Sequence, residues 1–255
     1  MDKVPILRIT DEGTRRIEDS LVSEFRLTIV LNNRELVTLL CSPAKLESLA
    51  VGFLDSEGLI ASRDVLKEIT LDDEGGTITV TTTEPEKFAD DLLSRRLIGS
   101  SGAKGSFRDA SDSHARIETR VEVAPSEIFK LVGEFVCRSE LFRATGGVHS
   151  AALCDSSGIL VFAEDIGRHN AIDKVFGQCL LEERALDRCM LITSGRVSSE
   201  IVHKVAKRNI PVLISKSAPT DLGVTAAGDA GITLIGFVRG RKMNVYTNDW
   251  RVLAG

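Results

Sequence analysis

Between residues 148 and 247, short apolar runs alternate with amphipathic stretches of helical length. No other feature of the chain constrains its fold as strongly. A hairpin is expected over 148–154 and 159–163, followed by a helix over 168–183 and a strand over 189–193. The pattern then predicts a helix over 198–209, a strand over 211–216, a short helix near 220–228, and strands over 232–238 and 242–247. Strands alternating with helices of this length form parallel βαβ units. A helix at 125–142, with Ile128, Leu131, Val132, Phe135 and Val136 on one stripe, completes an α/β lobe over residues 121–255.

The first 98 residues read differently, as a smaller α+β lobe. Two alternating runs, 24–31 and 35–41, flank Asn32-Asn33, a pair suited to the left-handed geometry of a tight hairpin. Ser42 and Pro43 suit the N-cap and first turn of a helix whose apolar residues are Leu46, Leu49, Ala50, Phe53 and Leu54. Two further strands, 66–71 and 77–83, are separated by Gly75-Gly76. Residues 99–120 join the lobes, and the Gly/Ser-rich stretch 99–113 reads either as a flexible linker or as a mobile loop over a site.

Charge narrows the function. The 255-residue chain has a formal net charge of −5, which argues against a general nucleic-acid binder. The distribution is uneven: residues 1–99 carry 12 basic and 19 acidic side chains, whereas residues 194–255 carry 9 and 4. A basic final third in an acidic protein points to an anionic ligand. No apolar run reaches the length of a membrane helix, and the N-terminus lacks the features of a signal peptide. The five cysteines (Cys41, Cys137, Cys154, Cys179 and Cys189) include no CxxC pair and read as reduced cytoplasmic thiols, with no metal site expected. Cys137 and Cys179 are expected on buried helix stripes and Cys189 in a buried strand, which leaves Cys41 and Cys154, at strand ends, as the candidate reactive thiols.

In an open α/β sheet, ligands bind where the carboxyl ends of the strands share an edge. Three junctions leave such ends here, at 164–170, 193–196 and 215–220, each polar and each preceding a helix whose amides favour an anion. Arg168, Arg196 and Lys216 add positive charge. His169 and Asp173 stand four residues apart on a helix, as do Asn170 and Lys174. The first pair either orients an imidazole for proton transfer or forms a solvated face with a weak salt bridge. Gly146-Gly147 before His149 allows close approach to the backbone. The turn at 236–242 reads as a basic hairpin, or as a clamp with an aromatic ring for a base and arginines for phosphate oxygens.

The segments TGGVH (145–149), EDIGRHNAIDKVFG (164–177), SGRVSSEIVHK (194–204), SAPT (217–220) and GFVRGRKMNVYT (236–247) resemble the FdhD family of formate dehydrogenase accessory sulfurtransferases, and GFLDSEGLI (52–60) fits the same pattern. The resemblance runs from about residue 23 to the end. It implies a cytidine-deaminase-like α/β lobe and a cytoplasmic homodimer. It also implies transfer of sulfur from a cysteine desulfurase to the bis(molybdopterin guanine dinucleotide) molybdenum cofactor, Mo-bis(MGD), destined for a formate dehydrogenase. The cofactor-binding segment of the family matches Phe237, Val238, Arg239, Gly240, Arg241 and Lys242. His149, Arg168, His169, Asn170, Ser194 and Arg196 are expected to line the same pocket.

The chain departs from the family at one place. The sulfur-bearing SSCGxCG loop aligns with residues 99–105, where Ser101 and Lys104 replace the two cysteines, and neither can form a persulfide. Two functions therefore stand: a sulfurtransferase using a displaced cysteine or a partner's thiol, and a cofactor-binding chaperone without sulfur chemistry. No catalytic residue is assigned. A zinc deaminase is excluded, because His149 is followed by Ser-Ala rather than x-Glu and no PCxxC exists.

Overall fold

The structure is a computed structural model that describes residues 2–85 and 115–253. The Gly/Ser-rich stretch, with Ser101 and Lys104, lies outside the described residues. A hairpin of β1 (Asp2–Thr10) and β2 (Gly13–Leu21) leads into β3 (Phe25–Leu31), β4 (Arg34–Cys41), α1 (Leu46–Ser56), β5 (Leu66–Asp72) and β6 (Thr77–Thr82). The second lobe contains α2 (Pro125–Arg138), α3 (Glu140–Thr145), β7 (His149–Asp155), β8 (Gly158–Asp165) and α4 (Arg168–Leu181). It continues with β9 (Met190–Thr193), α5 (Ser199–Ala206), β10 (Val212–Ser215), α6 (Asp221–Asp229), β11 (Thr233–Arg239) and β12 (Lys242–Val245).

Six strands of the second lobe form one sheet in the order β12-β11-β10-β9-β7-β8. The sheet is mixed rather than a run of parallel units. β9, β10 and β11 are parallel, while β7 runs antiparallel to both β8 and β9, and β12 antiparallel to β11. This arrangement gathers the carboxyl ends of β8 to β11 and the amino ends of β7 and β12 on one edge. Side chains of α4 and α5, among them Ile172, Val175, Phe176, Ile201 and Val205, pack on one face. Ile128, Leu131, Val132 and Phe135 of α2 cover the other. Burial on both faces explains why β9 and β10 read as unbroken apolar runs.

The smaller lobe is a four-stranded sheet, β4-β3-β6-β5, covered by α1. The Asn32-Asn33 hairpin forms as expected, with both residues at positive φ (49° and 64°). α1 starts later than expected, at Leu46 after a left-handed Lys45, because Ser42 is committed elsewhere. The Ser42 N–H donates to Asp165, its hydroxyl accepts from the Ile166 N–H, and its carbonyl accepts from Lys174. The helix expected at 125–142 breaks at Ser139, whose hydroxyl bonds the Phe135 carbonyl and pairs with Ser150.

The lobes meet helix to helix. α1 crosses α4 at Gly52 and Gly177, where a Cβ on Gly177 would collide with the Ser48 carbonyl and one on Gly52 with the Asp173 carbonyl. Leu180 of α4 inserts into the core of the smaller lobe. Covered by the sheet on one side and α1 on the other, α4 has no room for the solvated polar face that its sequence suggests. Asp173 and Lys174 are 1% and 0% exposed.

Candidate functional site

β7 starts at the edge where the motifs converge, placing His149 opposite Asp165 at the end of β8. The His149 Nδ1 lies 3.3 Å from the Ser194 Oγ, and that oxygen accepts the Ser150 N–H at 2.9 Å. Burial and the neighbouring Arg168 lower the His149 pKa while Asp165 opposes them, so the ring stands neutral at pH 7. Glu164 holds a second wall: its carboxylate accepts the N–H groups of Leu141 and Phe142, both at 3.0 Å, and so fixes α3. Asp165 organises the junction behind. It accepts from the Ser42 and Gly167 amides, the Asn170 side chain and the Lys174 ammonium, the last at 2.6 Å.

These elements enclose a cavity of about 870 Å³. His149, Ser150, Ser194, Lys216, Ser217, Val238, Arg239 and Gly240 line it from the sheet edge, with Gly146 and Gly147 beside them. Phe129, Val132, Gly133 and Val136 of α2 and Phe142 and Arg143 of α3 form the opposite wall. Gly146 and Gly240 have positive φ (65° and 59°) and open space where a side chain would sit, so a ligand can approach the backbone at both. The lining is apolar on the α2 side and cationic at Lys216, Arg239 and Arg143.

Lys216, singled out for its charge, lines this cavity, as do His149, Ser194, Val238, Arg239 and Gly240 of the twelve residues expected to bind the cofactor. The other seven lie around it. Phe237 is strained, with φ at +55° in the bulge of β11, and its N–H bonds the Ser217 carbonyl at 3.1 Å. Arg241 and Lys242 are exposed at the turn, as is Arg196 on its loop. Asn170 donates to the Leu40 carbonyl and to Asp165, a structural tie between the lobes. Arg168 packs over Gly195. The His169–Asp173 pairing does not form in either expected sense, because Asp173 accepts from Lys204 at 2.7 Å and from Ser56 at 2.7 Å. His169 faces Glu200 at 3.5 Å instead, and burial with the nearby Lys204 pushes its pKa down to about 4.

The α2 and α3 wall is absent from the sequence reading. Its apolar residues share the stripe that covers the sheet, so they read as core. The one signal is Gly133, a glycine in mid-helix with nothing near its missing Cβ.

The cysteines are distributed differently from expectation. Cys41 and Cys154 are fully buried, and burial pushes both thiols up to about 12. Cys179 and Cys189 are likewise buried and raised to about 12 and 11. Cys137 is exposed, since the buried stripe of α2 ends at Phe135. A thiol-specific reagent at pH 8 should therefore modify one cysteine of the native chain rapidly, mapped by peptide mass to Cys137. Rapid modification of Cys41 or Cys154 would contradict this arrangement.

The FdhD/NarQ family model matches residues 22–253. The chain belongs to the FdhD/NarQ family. It is 40% identical over 240 residues to the sulfur carrier protein FdhD of Bacillus subtilis (strain 168), covering 93% of this chain and 92% of that protein. It is 38% identical to the sulfur carrier protein FdhD of Staphylococcus aureus (strain MRSA252), covering 98% and 95%. A crystal structure assigned to a formate dehydrogenase accessory protein of Desulfotalea psychrophila superposes with a TM-score of 0.81 at 28% identity, covering 99% of each chain. The FdhD/NarQ match spans the cavity and both its walls. Among the described residues no helix is long and apolar enough to cross a membrane.

Proposed function

We propose that this chain serves formate dehydrogenase maturation by holding Mo-bis(MGD) at the sheet-edge cavity before a dehydrogenase client accepts it. One observation carries the reading: His149, Ser194, Lys216, Arg239 and Gly240, from four separate segments, converge on a single cavity of about 870 Å³. That volume lies within the range of small-molecule sites and leaves room for one nucleotide arm of the cofactor. Lys216, Arg239 and Arg143 offer cations to phosphate oxygens, and the backbone at Gly146 and Gly240 is open to close approach. Phe237, held exposed at the rim, supplies a face on which a guanine can stack. In this reading the cofactor is cargo: the chain binds, orients and shields it, and the molybdenum chemistry belongs to the enzyme that receives it.

Sulfur transfer is the second reading. The curated relatives are named sulfur carriers, and Cys137 is exposed between Val136 and the end of α2, beside the cavity wall. A cysteine desulfurase would be the donor. The burial of the other four thiols leaves no second cysteine of this chain to relay the sulfur.

Calorimetric titration with GDP at fixed ionic strength tests the first reading. Arg239→Ala and Lys216→Ala should each weaken binding about tenfold, the worth of one charge-assisted hydrogen bond of about 1.5 kcal/mol. Arg241→Ala, outside the lining, should change it less than twofold. Equal affinities for all four proteins would sink the assignment. Intact-mass analysis after incubation with a desulfurase and cysteine decides the second: a reducible gain of one sulfur atom, lost in Cys137→Ser, would establish it.

A further inference from the structure

Ser194 follows the last residue of β9, and two bonds to one residue of β7 fix its place. Its N–H donates to the Ser150 carbonyl at 3.0 Å, and its Oγ accepts the Ser150 N–H at 2.9 Å. A hydroxyl has one proton to give as well as lone pairs to offer. Among the described residues, the one remaining partner for the Ser194 proton is the His149 Nδ1 at 3.3 Å. We propose that Ser194 is a positioning residue: its hydroxyl donates to the His149 Nδ1, which holds the ring as a neutral donor offering its Nε2–H to the ligand. The inference rests on the cavity being the ligand site.

The tautomer follows from the hydrogen bonds. A neutral imidazole carries one N–H and one bare nitrogen, and the nitrogen that the protein engages decides which is which. With Nδ1 accepting from Ser194, the ring proton resides on Nε2. The reverse arrangement aims two N–H groups, those of Ser150 and Nδ1, at one oxygen and leaves the Ser194 proton without an acceptor in the described residues. The charged ring, which also donates from Nδ1, is opposed by burial and by Arg168. Asp165, across the β7–β8 ladder, favours the charged ring, but its carboxylate is already occupied by the Lys174 ammonium and by the Ser42 and Gly167 amides.

The tautomer matters for what the sheet edge can bind. Lys216 and Arg239 line the cavity with groups that donate and never accept. His149 held by Ser194 adds a third donor, so phosphate oxygens, which accept only, find matched groups there. In the other tautomer a bare Nε2 would face those oxygens, lone pair against lone pair.

Nitrogen-15 spectra of the labelled full chain at pH 7, recorded through the long-range couplings of the imidazole rings, test this without a ligand. The chain has four histidines, and the signals lost in His149→Gln identify the ring in question. Wild type should carry its proton on Nε2, with Nδ1 shifted upfield by the bond it accepts. Ser194→Ala should move Nδ1 downfield, and Ser194→Thr, which keeps a hydroxyl, should leave it near the wild-type position. Titration with GDP should then show affinity about fivefold weaker in Ser194→Ala and within about twofold of wild type in Ser194→Thr, the worth of one ordinary hydrogen bond. A wild-type ring protonated on Nδ1 would overturn the proposal, and that result needs no variant to fold. So would an Nδ1 signal or a GDP affinity that is the same in wild type and Ser194→Ala. Failure of wild type to bind GDP would sink the cavity reading instead, and the Nδ1 signals would still decide the role of Ser194.

Discussion

Gly177→Ala should destabilise the chain by about 3 kcal/mol or more, because the added methyl has nowhere to go. Its nearest neighbours are the Ser48 carbonyl and the Gly52 amide of α1, which are backbone and cannot rotate aside. Relief requires the two helices to separate. Separation would withdraw Leu180 from the smaller lobe's core and stretch the bonds that tie Ser42 to Asp165 and Lys174. In a chain of this size the loss corresponds to a melting temperature lowered by about 10 °C. Gly133→Ala is the matched control: it adds the same methyl in mid-helix with open space around it, and should be neutral or stabilising by up to about 1 kcal/mol. Wild-type stability for Gly177→Ala would mean that the lobes do not meet as described.

The contrast between those glycines also shows what a sequence reveals and what it withholds. Features set by local geometry were legible. The strands β7 to β12, the helices between them and the Asn32-Asn33 and Gly75-Gly76 turns follow from periodicity and turn chemistry, and they lie where expected. The sheet edge was legible too, since β8 to β11 all end there in polar motifs. Features set by long-range contact were not. Nothing near Ser42 announces that its backbone will serve Asp165, 123 residues away, in place of capping a helix. Asp173 and Lys174 look like surface charges because their partners, Lys204 and Asp165, are remote or on the preceding strand. The β1–β2 hairpin was missed for the opposite reason: its alternation of charged and apolar residues builds no core, so no burial pattern marks it. The thiols show the same limit. Cys41 and Cys154 sit at strand ends in sequence, but strand ends at a lobe junction and under α2 are interior.

Asp165→Ala should cost about 3–5 kcal/mol, because it strands a buried cation. Asp165 is 0% exposed, and among the described residues the Lys174 ammonium at 2.6 Å has no other carboxylate within ion-pair range. Its remaining contacts are carbonyls, those of Ser42 and Glu164, which solvate the charge without neutralising it. The same substitution removes the acceptor for the Ser42 and Gly167 amides, so one buried and one partly buried donor lose their partners as well. Urea denaturation should register the full effect. The double variant Asp165→Asn with Lys174→Met removes the charge while keeping an acceptor for those amides, and should recover most of the loss. A double variant no more stable than Asp165→Ala would show that the ion pair itself, rather than the amide contacts, holds the junction. Because Asp165 stands behind the cavity rather than in its lining, GDP affinity measured well below the lowered melting temperature should stay within about twofold of wild type. The motif EDIGRHN thus divides by position: Glu164 braces the wall, Asp165 and Asn170 lock the two lobes together, and the cations that line the cavity come from the later strands at Lys216 and Arg239.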